Sequence, residues 1–135
     1  VEALLSEALQ RGPTLIAPDA LIVASIVEKE TGRAEDRAKI AAVLINRLKK
    51  NMRLESDATL AYAITGGKGK LDRPFTKSDT KLQSPYNTYV VDGLPPTPIC
   101  NPSREAIEAA FNPAPIDALY YDPDGMGGHV FSTRC

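Results

Sequence analysis

A chain of 135 residues, 43% hydrophobic and 24% charged, has the size and composition of one soluble globular domain able to bury a core. Its 16 basic and 17 acidic residues leave a net charge of −1, so no overall basic field attracts nucleic acid or an anionic membrane surface, and nucleic acid is not an expected partner. Cys100, Cys135 and the single histidine, His129, are too few for a disulfide framework or a zinc-ligand cluster, so no metal is expected; a Cys100–Cys135 bridge and two unrelated thiols both stay open.

The chain opens without an initiator Met, in helix-like sequence from Glu2 to Gln10 that Gly12-Pro13 breaks, and a fragment of a longer protein is expected. Nothing at Val1 resembles a signal peptide. Pro18-Asp19 then supplies start signals for an apolar helix, Leu21-Ile22-Val23-Ala24-Ser25-Ile26-Val27, which runs into Glu28-Lys29-Glu30 and ends at Thr31-Gly32. Its longest apolar stretch, about Ala20 to Val27, is well short of the roughly 20 residues that span a bilayer. At about 100° per residue, Glu30 shares a stripe with Val23, Ile26 and Val27, whereas Glu28 shares one with Leu21, Ala24 and Ser25. Glu30 is therefore the carboxyl that loses hydration, and its pKa is expected to rise into the range of a general acid. Glu28 is expected at a rim, as a second catalytic-site residue that orients substrate or tunes charge. The alternative is that Glu30 is a buried partner of one of the nearby Arg and Lys residues.

A second helix is predicted from about Glu35 to Asn51, where Ile40, Val43, Leu44 and Leu48 recur at helical spacing and Lys49-Lys50 favour the C-terminus. Arg37, Lys39 and Arg47 read as its solvated face. Ser56-Asp57 can cap a third helix through Thr59, Leu60, Tyr62 and Ile64, stopped by Gly66-Gly67. Gly66-Gly67-Lys68-Gly69-Lys70 lacks the spacing of a phosphate-binding loop and reads as a plain loop. From Ser84 to Pro102, five prolines (Pro85, Pro95, Pro96, Pro98, Pro102) impose an extended path of the kind that lines sites. Asn101-Pro102 is expected to cap a helix from Ser103 to Phe111. The chain ends in a predicted hairpin, Leu119-Tyr120-Tyr121 against His129-Val130-Phe131-Ser132. A helical N-terminal half, proline-rich loops, a C-terminal helix and a short hairpin make an α+β domain, taken as a single unit over residues 1–135.

Several of these segments occur together and in order: Ala24-Ser25-Ile26-Val27-Glu28-Lys29-Glu30-Thr31, Ile45-Asn46-Arg47-Leu48, Met52-Arg53-Leu54 with Ser56-Asp57, Tyr86-Asn87-Thr88-Tyr89, Gly93-Leu94-Pro95-Pro96 and Gly127-Gly128-His129-Val130-Phe131. From about Ala20 to Ser132 the chain resembles the catalytic domain of the YceG-like endolytic murein transglycosylases. It departs from that family's pattern at Glu55, where Gln is usual, at Ala58, where Pro is usual, and at Ser103, where Gly is usual. Glu55 can change the charge near the site, and no candidate acid is lost.

The resemblance implies a bacterial protein anchored by a single membrane span upstream of Val1, beyond a small LysM-like subdomain, and facing the cell wall. Its substrate would be peptidoglycan glycan strands, cut internally to leave 1,6-anhydro-muramyl ends, with cell-wall synthases as partners and no cofactor. The resemblance also places the catalytic residue in Glu28-Lys29-Glu30 and favours Glu30, the glutamate that precedes a small hydroxyl residue at the helix end. One carboxyl can suffice for such a reaction, because the attacking group is the sugar's own 6-hydroxyl: the neutral acid protonates the glycosidic oxygen, and the carboxylate then takes the hydroxyl proton. Hydrolytic glycosidases, by contrast, commonly need a second carboxylate.

Asn46, Asp57, Tyr86, Asn87, Tyr89 and His129 are the candidate substrate-binding residues, suited to sugar hydroxyls, acetamido groups or a developing oxocarbenium ion. Each has a structural alternative: Asp57 as a helix cap, Asn46 as a backbone partner, the tyrosines as filling beneath the proline loop, His129 as a hairpin residue. Two rival functions remain. One is a non-catalytic peptidoglycan-binding or scaffolding module, for which Glu30 would be dispensable. The other is an aminodeoxychorismate lyase, which needs pyridoxal phosphate; no phosphate cradle paired with a Schiff-base lysine is visible for it.

Overall fold

Pro18 and Asp19 stand in the first turn of the first helix, α1 (Ala17–Glu30), where a missing N–H costs nothing and an acidic side chain suits the helix dipole. The computed structural model describes residues 16–68 and 70–134. The segment Glu2–Gln10, its break at Gly12-Pro13, Gly69 of the glycine loop and Cys135 lie outside the described residues. α1 is buried almost all round, from Ile22 to Val27, so it forms the centre of the molecule. Thr31 turns to extended backbone and ends it.

α2 (Ala34–Lys49) lays Ile40, Ala41 and Leu44 against the core that α1 centres, all three fully buried. α3 (Asp57–Thr65) is capped by Ser56, whose Oγ accepts from the Thr59 N–H, and it stops at Gly66 in the left-handed conformation that glycine adopts without strain. α4 (Arg104–Phe111) packs on both α1 and α2. Its N-cap is Ser103, not Asn101: the Ser103 hydroxyl accepts from Ala106 N–H at 3.2 Å, and the helix begins two residues after Pro102. A single 3₁₀ turn, Asp79–Lys81, interrupts the stretch between α3 and α4. Strands β1 (Tyr120–Pro123) and β2 (His129–Ser132) form the antiparallel hairpin, with Tyr121 opposite Phe131 and Pro123 opposite His129. Helices dominate a mixed α+β fold, as the sequence indicates.

Two polar side chains of α1 fasten the proline-rich path to the core. Ser25, fully buried, accepts from Ile99 N–H at 3.0 Å through its Oγ, while its carbonyl accepts from the Cys100 thiol at 3.2 Å. Glu28 Oε1 accepts from Ser103 N–H at 2.8 Å and so fixes where α4 begins. A segment with five prolines lacks a regular hydrogen-bonding pattern of its own, and side chains from the central helix supply the missing partners.

Arg47 overturns its assignment to a solvated face. It is 8% exposed; its guanidinium donates to the carbonyls of Leu119 at 2.7 Å and Arg53 at 2.9 Å, and stacks over the Tyr120 ring at 4.9 Å. Its partners come from the hairpin and from the loop after α2, so helical periodicity alone could not identify them. Lys39 does remain exposed, with its ammonium 5.7 Å from the centre of the Phe131 ring.

Candidate active site

The last turn of α1 points its two carboxylates in different directions. Successive side chains are about 100° apart on a helix, so positions 28 and 30 diverge by about 200°. Glu28 faces the start of α4. The side chain of Ser103, and then its N–H, hold its carboxyl below the ordinary 4.5 of a glutamate, with Arg37 and Lys29 adding to the effect.

Glu30 faces inward, toward the loop that opens α3 and toward the hairpin. Its Oε2 accepts from Ser56 Oγ at 2.8 Å, and the Tyr121 hydroxyl lies close enough to favour its charged form. Although an edge of the residue stays accessible, protein packs closely around the carboxyl. Desolvation is the largest influence and raises its pKa above 4.5; the two hydroxyls oppose it, Asp57 adds to it through charge repulsion, and His129 opposes it. Tyr121 shows the reciprocal effect, its hydroxyl pushed well above 10 chiefly by burial and then by the neighbouring Glu30. No cation pairs with Glu30 among the salt bridges of the described residues, so the buried-ion-pair alternative finds no support there.

Ser56 is itself held by a buried set of hydroxyls. Its N–H donates to Thr88 Oγ1 at 2.9 Å, Thr88 Oγ1 lies 2.7 Å from Thr59 Oγ1, and Thr59 Oγ1 donates to the Ser56 carbonyl at 2.8 Å. Glu55 N–H donates to the Thr88 carbonyl at 3.2 Å, with Glu55 in the left-handed backbone region at φ 51°. The loop before α3 is thus tied to the loop of Tyr86–Tyr89, and the hydroxyl that meets Glu30 also accepts from Thr59 N–H at 3.4 Å.

The six candidate substrate-binding residues divide by location. Asp57, Tyr89 and His129 gather near Glu30: Asp57 Oδ1 accepts from the Tyr89 hydroxyl at 2.6 Å, and His129 Nδ1 lies 3.1 Å from Asp36 Oδ2. Burial and Asp57 together push the Tyr89 hydroxyl well above its usual 10. The other three are engaged elsewhere. Asn46 donates to the carbonyls of Ile116 and Ala118, both at 3.0 Å, which is the backbone role held open for it. Asn87 is fully buried; it donates to the carbonyls of Thr80 and Leu82 and accepts from Tyr89 N–H, leaving no surface for a ligand. Tyr86 packs on Tyr62 with ring centres 4.7 Å apart and pairs with Thr97 Oγ1 at 2.8 Å.

The match to the YceG-like family model covers residues 3–135. The chain belongs to the YceG-like family. It is 46% identical over 112 residues to an endolytic murein transglycosylase of Bacillus subtilis strain 168, covering 83% of this chain and 30% of that protein. It is 38% identical over 126 residues to one from Streptococcus pneumoniae serotype 2 strain D39, covering 90% of this chain and 22% of that protein. The chain therefore spans less than a third of the length of these curated relatives. A crystal structure of a yceG-like protein from Listeria monocytogenes superimposes with a TM-score of 0.82 at 37% identity, over 96% of this chain and 40% of that one.

Three residues of this YceG-like site lie beyond the candidates read from sequence: Ser56 as a partner of Glu30 rather than a cap alone, Tyr121 and Asp36. The hairpin register carries a signal for Tyr121. Tyr121, His129 and Phe131 fall on one face of the two strands, with ring centres 5.5 Å apart for Tyr121–His129 and 6.1 Å for Tyr121–Phe131. Period-two alternation from His129 to Phe131 identifies that face once the pairing is known. Asp36, 5% exposed in the first turn of α2, gives no such signal, because its partner is 93 residues away.

Gly128 matters to the same corner. A Cβ there would meet the Arg33 guanidinium and the Asp124 carboxylate, so any other residue would push the ends of those two side chains aside. Asp124 in turn accepts from Met126 N–H at 2.7 Å and Gly128 N–H at 3.0 Å, which closes the hairpin turn and presents His129.

Proposed function

We propose that this chain carries the catalytic carboxyl of an endolytic transglycosylase acting on peptidoglycan glycan strands, with Glu30 as general acid and then general base. The observation that carries the reading is the bias of Glu30 toward its neutral form, at the end of a buried helix and between two hydroxyls. The likeness to the endolytic murein transglycosylases of Bacillus and Streptococcus supports the substrate class.

In this mechanism neutral Glu30 gives its proton to the glycosidic oxygen as the bond to the muramyl anomeric carbon breaks, and the departing sugar leaves as an alcohol. The carboxylate, stabilised by the hydroxyls of Ser56 and Tyr121, takes the proton of the muramyl 6-hydroxyl while that oxygen bonds to the anomeric carbon. The 1,6-anhydro ring closes and Glu30 returns to its neutral state, so no water is consumed and no second carboxylate is needed. Asp57, Tyr89 and His129 are the groups we assign to substrate contact. Asn46, Asn87 and Tyr86 we assign to holding the loops, and Glu28 to fixing α4. On this reading the protein works outside the cytoplasmic membrane, beside the synthases that make the strands and held by an anchor elsewhere in the protein; among the described residues no helix is long and apolar enough to cross a membrane.

Incubation with uncrosslinked glycan strands and mass spectrometry of the products tests this. Wild type and Glu28→Gln are expected to yield anhydro-muramyl ends, and Glu30→Gln is not. Retained activity in Glu30→Gln with loss in Glu28→Gln would reverse the assignment, and absence of cleavage by every form would favour a scaffolding role.

A further inference from the structure

A cavity of about 610 Å³ lies beside the site and does not include Glu30. Its wall is apolar: Ala58, Ala61 and Tyr62 from one face of α3, with Leu71, Phe75 and Ile99 opposite. The charged groups on its lining are Lys29, Lys70 and Arg73, and no carboxylate or carboxamide lines it. The Arg73 guanidinium is occupied by Asp79 at 2.7 and 2.9 Å, which leaves the ammonium groups of Lys29 and Lys70 as the available charge. The volume falls within the range of about 300–1,000 Å³ typical of small-ligand sites.

That lining offers a sugar ring aromatic faces and cationic donors but no carboxylate or amide acceptor for its hydroxyls. It suits a ligand with short aliphatic side chains and free carboxylates. The cavity also touches the site through two chain-adjacent pairs. Lys29 lines it and Glu30 does not; Ala58 lines it and Asp57 does not. The cavity and the Glu30 carboxyl therefore draw on neighbouring residues of the same two segments, the end of α1 and the start of α3, which puts the cavity on the path of a substituent carried by a sugar at Glu30.

We propose that this cavity receives the peptide stem carried by the strand, with its alanyl and other aliphatic groups against Ala61, Tyr62 and Phe75 and its carboxylates toward Lys29 and Lys70. The proposal rests on the peptidoglycan reading above. It makes the peptide a specificity element: strands that retain their stems bind better than strands that have lost them, although the bond cut lies between sugars.

The test compares peptide-bearing strands with strands stripped by an amidase, using wild type, Lys70→Gln, Phe75→Ser and the cavity-filling Ala61→Leu. Wild type is expected to favour peptide-bearing strands by about tenfold in kcat/KM, carried by KM, a size matching roughly one charge-assisted contact. Each variant should lose most of that preference while cutting stripped strands at the wild-type rate. Equal cleavage of both substrates by wild type, or variants that slow both alike, would overturn the proposal. Binding of the tetrapeptide alanyl-γ-glutamyl-lysyl-alanine, followed by NMR shifts of Tyr62 and Phe75, separates the two levels. If no strand is cut but the tetrapeptide still shifts those rings, the transglycosylase reading fails and the peptide site stands. If strands are cut and the tetrapeptide leaves the rings unmoved, the peptide site fails alone.

Discussion

The two sides of the last turn of α1 differ in one respect that decides their chemistry. On one side Glu28 meets the side chain and backbone N–H of Ser103 at the start of a helix, and these donors stabilise its charged form. On the other, Glu30 meets hydroxyls in a crowded pocket, and burial outweighs the hydrogen bonds. The carboxyls are identical and two residues apart. What separates them is how much water each loses, and what replaces it.

The largest expected effect that would break this contrast is on catalysis. Glu30→Gln should lower kcat by about 10²–10⁴-fold, the usual contribution of a positioned acid–base group, whereas Glu28→Gln should stay within about threefold. Comparable losses in both would mean that the two sides are equivalent. Tyr121→Phe comes next. Removing a hydroxyl that favours the carboxylate should raise the Glu30 pKa further, shifting the alkaline limb of the pH–rate profile upward and lowering kcat by about tenfold. A fall in rate with an unmoved limb would show that Tyr121 acts on something other than Glu30.

Stability sharpens the same comparison. Because burial holds folded Glu30 above its unfolded value of 4.5, the folded chain binds more protons than the unfolded chain between 4.5 and the raised pKa. Stability from this group is therefore full below pH 4.5 and declines as pH rises through that window. Glu30→Gln should unfold at a higher temperature than wild type at pH 7, with the gap closing as pH falls toward 4.5. Glu28 has the opposite sign: its depressed pKa adds stability above 4.5, lost as pH falls through the folded value. Glu28→Ala should cost about 1 kcal/mol at pH 7 by urea denaturation, the size of a lost helix cap. Equal pH dependence in the two variants would remove the distinction.

Local signals recovered the elements. Pro18 with Asp19, Ser56 and Gly66 mark helix ends by chemistry that acts within a turn, and those ends are where the sequence put them. The asymmetry of Glu28 and Glu30 was legible for a similar reason, since helix geometry fixes which stripe each shares. Long-range partners were not. Ser103 replaced Asn101 as the cap of α4 because Glu28, 75 residues away, holds its N–H. Asn46 and Arg47 turned inward because the segment leading into the hairpin offers them carbonyls from Ile116 to Leu119. Asn87 has a side chain suited to sugars, but bare loop carbonyls at Thr80 and Leu82 engaged it first. A residue type tells what a side chain can bond; only the fold tells which partner reaches it.

The most direct test of the central claim is a carbon-13 NMR titration of the side-chain carboxyls, assigned through Glu30→Gln and Glu28→Gln. The predicted result is one carboxyl titrating above 4.5, missing in Glu30→Gln, and one below 4.5, missing in Glu28→Gln. A Glu30 midpoint at or below that of Glu28 would contradict the account.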